Sequence, residues 1–326
     1  MKNITKIIIS ILLWIHCSLA SETKIITHNI NESYINIDSI IEKINSKKVL
    51  SLSKEETIKM LYQLNEFDLG RFLLNNRGLN GYWISYLILR GVKNKQVHPL
   101  EKWLIQRAPT VLATRERFYI FQDRTKKIVE SKSKSHQINI ASIPCGLLDD
   151  LLTIDFNTKN KINITGIDLD SNSLSMAKIN AENYNKNHKI QIIKGDAWNL
   201  KFEETFDIIL SNGLSIYEKN PDRLVNLYKE FHKALKADGR LITSFITPPP
   251  TYSKESPWIN VDQEDLKKQI SIFADILSVK WREYRTEQET RDLLEKAGFE
   301  IDEIIYDSHH IFPTVIVKKS GVKTKS

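Results

Sequence analysis

The sequence predicts an α/β protein in which helices flank a doubly wound, seven-stranded, mostly parallel sheet. Short β-branched runs alternate with amphipathic stretches in the carboxyl-terminal part of the chain, which is typical of βαβ units. Of the 326 residues, 41% are hydrophobic and 27% are charged, as in globular proteins. Strands are predicted at 138–143, 162–167, 190–193, 206–210, 241–246, 301–306 and 312–317, and helices near 148–156, 172–185 and 221–237.

Residues 21–135 are predicted to form a helical region ahead of the sheet. The isoleucines between residues 37 and 44 fall at helical spacing, and Ser53 with Glu56 has the pattern of a capping box. The last helix of this region is predicted at about 110–130. A short polar stretch follows it, so we place the sheet domain at 136–318 and a basic tail at 319–326.

The net charge is distributed unevenly, which disfavours a nucleic-acid partner. The chain carries +7, with 20 Lys/Arg and 12 Asp/Glu in residues 21–135, against 21 and 28 in residues 136–317. A polyanion would be attracted by the first region and repelled by the second. We interpret the asymmetry as charge complementarity between the two parts of the chain.

The first 20 residues have the pattern of a secretory signal peptide. Lys2 and Lys6 precede a short apolar run that ends with small residues at Ser18 and Ala20. The run covers residues 7–20 and is too short for a membrane span, which needs about 20 apolar residues. We therefore expect export to the periplasm or out of the cell, where the protein could act as an effector inside another cell. An uncleaved leader that anchors the chain to a membrane is the alternative.

Cysteine usage excludes two kinds of site. The chain has two cysteines, Cys17 in the predicted leader and Cys145. Removal of the leader leaves one cysteine, which cannot form an internal disulfide or a cysteine-based metal centre. No metal is predicted.

Ligand-binding residues are expected directly after the strands, because ligands of open α/β sheets bind beyond the strands' carboxyl ends. The first strand ends in a tight turn over residues 142–148, where Gly146 lets a ligand approach the main chain. Asp168 follows the second strand, 22 residues after Gly146, and a carboxylate there can accept hydrogen bonds from both ribose hydroxyls. Asp170 or Ser171 is more simply read as the cap of the next helix.

The third and fourth strands end in two further candidate motifs. Asp196 could accept a hydrogen bond from the amino group of an adenine, and the backbone amide of Ala197 could bind the same base. Ser211, Asn212 and Gly213 follow the fourth strand, whose expected place beside the first puts them near the reactive end of the ligand. The order of these motifs, more than any one of them, predicts a nucleoside cofactor.

In this order the motifs resemble those of the class I S-adenosylmethionine (SAM)-dependent methyltransferases. The resemblance covers about residues 136–318 and includes the segments 206–209, 236–241 and 293–299, which match the family's fourth strand and the turns before strands five and six. It implies the Rossmann-like methyltransferase fold, SAM as cofactor and methyl transfer to an unidentified acceptor. The implied cofactor-binding residues are Ser142, Pro144, Gly146, Asp168, Leu169, Asp196, Ala197, Ser211, Asn212 and Gly213.

The first turn departs from the family pattern. Pro144 and Leu148 stand where the family has glycines, and Ser142 stands where it has the acid that orients the methionine amino group. Proline has no N–H to donate, so the turn must contact the cofactor differently. Asp149 or Asp150, at the start of the next helix, is expected to supply the missing carboxylate.

The resemblance also bears on the acceptor. The helical region is similar to the amino-terminal caps of methyltransferases that act on small molecules, so we expect a small-molecule substrate. Tyr82, Trp83 and Tyr217 are candidate walls of its site. His309 and His310 are candidate bases, although a surface turn would also explain them, and no catalytic residue is assigned.

Two other functions remain open from the sequence. The altered first turn suits a SAM- or nucleoside-binding protein without catalysis. A nicotinamide-dependent oxidoreductase would share the first strand and the ribose acid, but its Gly-x-Gly-x-x-Gly pattern is absent.

Overall fold

The computed structural model describes residues 36–94, 96–132, 137–184 and 188–320. The predicted signal peptide and residues 321–326 of the predicted tail lie outside this range. The strands are β1 (Gln137–Ser142), β2 (Lys161–Asp168), β3 (Lys189–Lys194), β4 (Phe206–Ser211), β5 (Leu235–Ser244), β6 (Phe299–Ile305) and β7 (Thr314–Lys319). The helices are α1 (Ile37–Ser46), α2 (Lys54–Leu64), α3 (Asp68–Asn76), α4 (Gly81–Ser85), α5 (Pro99–Gln106), α6 (Pro109–Ser131), α7 (Asp149–Leu152), α8 (Ser171–Tyr184), α9 (Pro221–Ala234), α10 (Gln263–Ile270) and α11 (Glu287–Lys296).

The seven strands form one sheet in the order β3-β2-β1-β4-β5-β7-β6. The first five strands are parallel, and β7 runs antiparallel to both β5 and β6. The predicted fold class is therefore confirmed. Strand order reverses between β1 and β4, which places the ligand-binding crevice of such a sheet beyond the carboxyl ends of these two strands.

Local sequence explains where two of the helices begin and why β4 is buried. Asn220 accepts hydrogen bonds from the backbone amides of Asp222 and Arg223, and Pro221 fills the first helical position, where its missing N–H costs nothing. The predicted capping box of α2 forms between Ser53 and Glu56. In β4 all six residues are buried, as expected for a central parallel strand.

Several element boundaries differ from the sequence prediction, and those of α9, β5 and β7 are examples. Helix α9 ends at Ala234 and β5 begins at Leu235, because Leu235 pairs with Phe206 before a register shift in β4. The prediction started this strand at residue 241. Strand β7 begins at Thr314 rather than at residue 312, and it extends to Lys319.

A helical layer lies over the carboxyl-terminal ends of the strands. It consists of α1–α5 together with residues 263–279, which form α10 and the π-helical turn after it. Its hydrophobic core joins Leu61 and Leu64 of α2 to Ile272 and Phe273. Asp265 in α10 accepts a 2.7 Å hydrogen bond from the Trp103 indole. The sequence predicts no helix at 263–279, so this part of the layer is a finding of the structure.

Two π-helical turns lie in this layer, at Tyr86–Arg90 and Ser271–Ile276. None of the helices formed by residues 36–320, where described, combines the length and the apolar character needed to cross a membrane.

Candidate functional site

A cavity of about 210 Å³ lies between the carboxyl-terminal edge of the sheet and the helical layer. Its walls come from the turn between β1 and α7, the end of β2, the loop after β4, and helices α4 and α6. This is the position where strand order reverses. The cavity therefore occupies the place that the topology reserves for a ligand.

The turn after β1 keeps a left-handed backbone at two positions. Gly146 has φ +49°, which suits glycine, and Leu148 has φ +61° although its side chain is a leucine buried in the core. Leu148 thus adopts a conformation that glycine would adopt at lower cost. Leu148 stands where the family has a glycine, and its backbone conformation is still one that suits glycine.

Two neighbouring carboxylates at the start of α7 have different surroundings. Asp149 is engaged on both oxygens: it accepts hydrogen bonds from Ser85 and, at 3.1 Å, from the Asn180 amide, and Arg90 lies 3.7 Å away. Asp150 accepts a 2.6 Å hydrogen bond from Ser142 on Oδ2. Its Oδ1 is buried and has no partner among the described residues, and Asp150 lines the cavity.

Burial raises the pKa of Asp150 to about 7, with a smaller contribution from the negative charge of Asp149 and an opposing one from the Ser142 hydroxyl. A carboxylate with an unpartnered buried oxygen is expensive to desolvate. A cation in the cavity would recover that cost. Both acids that the sequence left as alternatives line the cavity, but only Asp150 keeps a carboxylate oxygen without a partner among the described residues.

Asp168 ends β2 and is held in place by two backbone amides. Gly146 donates to Oδ2 and Asp170 donates to Oδ1, both at 2.9 Å. Burial raises the pKa of the Asp168 carboxyl, and the two amides oppose that shift. Each carboxylate oxygen has a second lone pair, so Asp168 can still accept hydrogen bonds from a ligand.

The loop after β4 contributes a second acceptor without a partner. Asn212 and Gly213 both line the cavity, and the buried Oδ1 of Asn212 has no hydrogen-bond partner in the described structure. Gly213 has φ +89°, a backbone conformation that favours glycine. A ligand that offers a donor at this place would satisfy Asn212.

Helix α4 of the helical layer closes over the turn after β1. A Cβ atom added at Gly81 would lie 2.8 Å from the Cα of Gly146 and 2.8 Å from the Oγ of Ser173. Only glycine allows this approach, because both distances are shorter than real Cβ contacts. The position of α4 above the turn therefore depends on Gly81.

Arg117 lies in the wall of the cavity although only 5% of its surface is exposed. One guanidinium nitrogen donates a 3.2 Å hydrogen bond to Ser244, and the guanidinium lies 4.4 Å from the ring centroid of Phe312. Its Nε is buried and has no hydrogen-bond partner among the described residues. Burial lowers the pKa of Arg117 to about 10, so the side chain remains a cation at neutral pH.

The structure brings seven of the sequence-predicted residues to the cavity wall and leaves six outside it. Those in the wall are Pro144, Gly146, Asp168, Leu169, Asn212, Gly213 and Tyr217, and those outside are Ser142, Asp196, Ala197, Ser211, Tyr82 and Trp83. Ser142 does not line the cavity, but its hydroxyl donates a hydrogen bond to Asp150, which does. Ser211 is buried in β4. Trp83 packs between Phe72 and Tyr86, and Asp196 is an exposed residue whose carboxylate accepts from the Trp198 amide. The roles of these residues stay predictions.

His309 and His310, the candidate bases, are not among the residues of the cavity wall. His309 lies instead in a cluster with Glu116 and Asp307 whose ligand-type atoms fall within 4.8 Å of one another. The cluster has a structural explanation. Glu116 accepts 2.8 Å and 2.6 Å hydrogen bonds from Ser308, and Asp307 accepts the amide of Phe312 at 2.6 Å, which ties α6 to the loop before β7.

The sequence pattern did not indicate Arg117, and within the segment 79–89 it indicated Tyr82 and Trp83 rather than the residues that line the cavity. A signal for Arg117 was present. Ala113, Arg117 and Phe121 follow one another at intervals of four along α6, and all three are buried. An arginine in the middle of an apolar helix face indicates either a buried ion pair or a ligand.

The chain is similar to several known proteins. A family model described as a methyltransferase domain matches residues 143–239. A demethylmenaquinone methyltransferase of Staphylococcus saprophyticus is 26% identical over 136 residues, which is 42% of this chain and 55% of the relative. The chain thus aligns with about half of that relative. A solved structure, a possible exported protein from Bordetella parapertussis, is 35% identical with a TM-score of 0.81 and covers 87% of this chain and 94% of that one.

The sheet order and the cavity at the strand-order reversal are those of a doubly wound α/β protein whose ligand crevice lies at the carboxyl ends of β1 and β4. Residues 143–239 match a methyltransferase domain, as the resemblance to the class I SAM-dependent methyltransferases implies. The family resemblance of the sequence is thereby confirmed.

Proposed function

We propose that this protein transfers a methyl group from SAM to a small-molecule acceptor bound in the cavity under the helical layer. The observation that carries the proposal is the convergence of Asp168, Asp150 and Asn212 on one cavity at the strand-order reversal. SAM supplies the electrophilic methyl group in such a reaction. The described residues bind and orient the two reactants.

The donors and acceptors of the cavity suit SAM. We assign Asp168 to the ribose hydroxyls and the unpartnered oxygen of Asp150 to the methionine ammonium group. The exposed Asp196 and the backbone of Ala197 would bind the adenine at the open end, next to β3. The Oδ1 atom of Asn212 would accept a hydrogen bond from a ligand group near the reacting centre. Ser142 is then a positioning residue that holds Asp150.

The acceptor would lie beside the loop after β4 and under helices α4 and α6. Methyl transfer from a sulfonium is an in-line displacement, so the main task of these walls is to orient the nucleophile and to exclude water. Ile84, Ile88 and Phe118 give this side of the cavity an apolar surface. That surface favours a small organic molecule over a polymer that must enter from solvent.

Two measurements on the full chain test the proposal. Titration calorimetry should show saturable binding of SAM and of S-adenosylhomocysteine. Incubation with methyl-labelled SAM and a cell extract should then transfer label into the low-mass fraction. Absence of binding would exclude the proposal, and label confined to protein or nucleic acid would exclude a small-molecule acceptor.

A second candidate function is SAM binding without catalysis. Pro144 and Leu148 at the first turn, where the family has glycines, favour it. Tight binding of SAM with no labelled product in any fraction would support this function over methyl transfer.

We also propose that the protein is exported and that residues 1–20 are removed. The leader pattern and the name of the Bordetella parapertussis relative support export. Since SAM is made inside cells, the exported enzyme would act where SAM is available, as an effector does inside another cell. Mass spectrometry of the mature amino terminus in separated culture fractions should find a start near Ser21 outside the cytoplasm. An intact Met1 in the cytosol would contradict the proposal.

A further inference from the structure

The cavity is electrically polarised. The acidic residues in its wall are Asp149, Asp150, Asp168 and Asp170, and Arg117 is the one basic residue among the described wall residues. SAM carries a sulfonium and an ammonium group, so its positive charges suit the acidic side. The one anionic group of SAM is its carboxylate, which is bonded to the same carbon as the ammonium group and would therefore lie with it beside Asp150, at the end of β1. Arg117 is held at the end of β5, which leaves it for a different ligand group.

Arg117 and the cofactor residues are also separated across the sheet. Asp168 ends β2, Asp150 is held at the end of β1 by Ser142, and Arg117 is held at the end of β5 by Ser244. With β4 between β1 and β5, the two anchoring serines belong to strands about 10 Å apart, at the usual spacing of neighbouring strands. The cofactor residues therefore lie on one side of β4 and Arg117 on the other, where the acceptor would bind.

The surroundings of Arg117 do not satisfy its charge. Its nearest polar partner is the neutral Ser244 hydroxyl, Phe312 covers one face of the guanidinium, and Nε has no partner in the described structure. The buried Asp307 carboxylate is close enough for its charge to raise the pKa of Arg117, but no carboxylate of the described residues comes within salt-bridge distance of the guanidinium. A buried cation of this kind is costly unless an anion completes the site.

Tyr217 adds a second polar group on the same side. It lines the cavity after β4 and lies close enough to Arg117 for each to influence the pKa of the other. Burial raises the pKa of the Tyr217 phenol, so the phenol stays neutral and can donate a hydrogen bond at neutral pH. The guanidinium fork and a neutral phenol together match the oxygens of a carboxylate.

We propose that Arg117 binds a carboxylate group of the methyl acceptor, so that the substrate is a small organic acid whose apolar body packs against Ile84, Ile88 and Phe118. This inference rests on the proposed function. Arg117 and Tyr217 are then specificity-determining residues that select a negatively charged acceptor. Asp150 and Asp168 bind the cofactor.

The test uses matched carboxylate and amide probes on the full-length protein. Phenylacetate and 3-phenylpropionate are compared with phenylacetamide and 3-phenylpropionamide, in the presence of saturating S-adenosylhomocysteine, by competition and saturation-transfer NMR. We expect the wild-type protein to bind at least one acid 10-fold or more tightly than its amide, as a charge-assisted bidentate pair should provide. Arg117→Met should remove this preference and leave the affinity for S-adenosylhomocysteine within about 3-fold of the wild type.

Arg117→Lys is the second variant, because it keeps the charge in the buried site if Arg117→Met does not fold. It should reduce the preference at least 5-fold, since an ammonium group cannot make the two parallel hydrogen bonds of a guanidinium. Equal binding of acids and amides by the wild type, or an unchanged preference in the folded variants, would overturn the inference. Loss of S-adenosylhomocysteine binding in Arg117→Met would also overturn it, because Arg117 would then belong to the cofactor site. If the wild type binds the acids but not S-adenosylhomocysteine, the proposed function fails while Arg117 keeps its role as an anion site.

Discussion

Ser142 and Asp150 are joined by a 2.6 Å hydrogen bond that links the end of β1 to the start of α7. In the family pattern an acid stands at the position of Ser142. Here the carboxylate comes from the helix and the strand supplies only the hydroxyl that holds it. The cavity therefore has a carboxylate beside the first turn although β1 itself provides none.

Asp150→Asn should weaken the binding of SAM by about 10- to 100-fold, because a neutral amide cannot pair with the ammonium group. Titration calorimetry measures the effect. The matched control is Asp155→Asn, which changes an exposed aspartate shortly after the same helix and should leave the affinity unchanged. Equal affinities of the wild type and Asp150→Asn would remove Asp150 from the cofactor site.

The affinity for SAM should depend on pH through Asp150. Its pKa of about 7 means that the carboxyl is mostly protonated at pH 5.5 and mostly ionised at pH 7.5. Binding of a cation needs the ionised form, so the dissociation constant should fall by about an order of magnitude between these two pH values. In Asp150→Asn this dependence should be absent, and a dependence centred near pH 7 that persists in the variant would assign it to another group.

The same carboxyl should lower the stability of the ligand-free protein above neutral pH. Its pKa is raised from 3.8 in the unfolded chain to about 7 in the folded protein, so the folded state binds the proton more tightly. The resulting stabilisation is complete below pH 3.8 and is lost as the pH rises through 7. Urea unfolding should therefore show that the stability of Asp150→Asn relative to the wild type rises by about 3 kcal/mol between pH 5 and pH 8. The same difference at both pH values would contradict this account.

Asp168 and Asp196 should contribute unequally to cofactor binding. Asp168 is largely buried and fixed by two backbone amides, whereas Asp196 is exposed, so water competes with any bond that Asp196 makes. We expect Asp168→Asn to reduce the affinity for S-adenosylhomocysteine by 10-fold or more, and Asp196→Asn to change it by less than about 3-fold. Calorimetry on both variants decides, and a reversed order of effects would move the main contact with the cofactor from the end of β2 to the end of β3.

Gly81→Ala should separate helix α4 from the first turn. The added methyl group would meet the backbone of Gly146, which cannot rotate away, so we expect both lower stability and weaker SAM binding. Gly91→Ala is the control, since its methyl group would meet only side-chain atoms of Tyr86 and Ile105 in the same layer. Thermal unfolding and calorimetry should show weaker binding for Gly81→Ala alone, and unchanged binding would mean that α4 can shift without affecting the site.

The sequence predicted the sheet and the place of Asp168 at the cavity because both depend on local patterns. Asp168 could be found from its distance to Gly146, and β4 from its apolar run at 208–210. The acceptor side could not be found in this way. Arg117 meets Ser244 and Phe312 only through the tertiary fold, and the helix at 263–270 acquires its role from residues that lie some 160 positions earlier, such as Trp103.

The shared core of the helical layer has a consequence for the order of folding. This core joins Ile44 to Val279, so the apolar faces of the first helices are only partly covered until the segment at 263–279 has been synthesised. Packing between parts so distant along the chain forms late and slowly. A growing or freshly released chain would therefore remain incompletely folded through most of its length, which is the state in which a polypeptide can be threaded across a membrane.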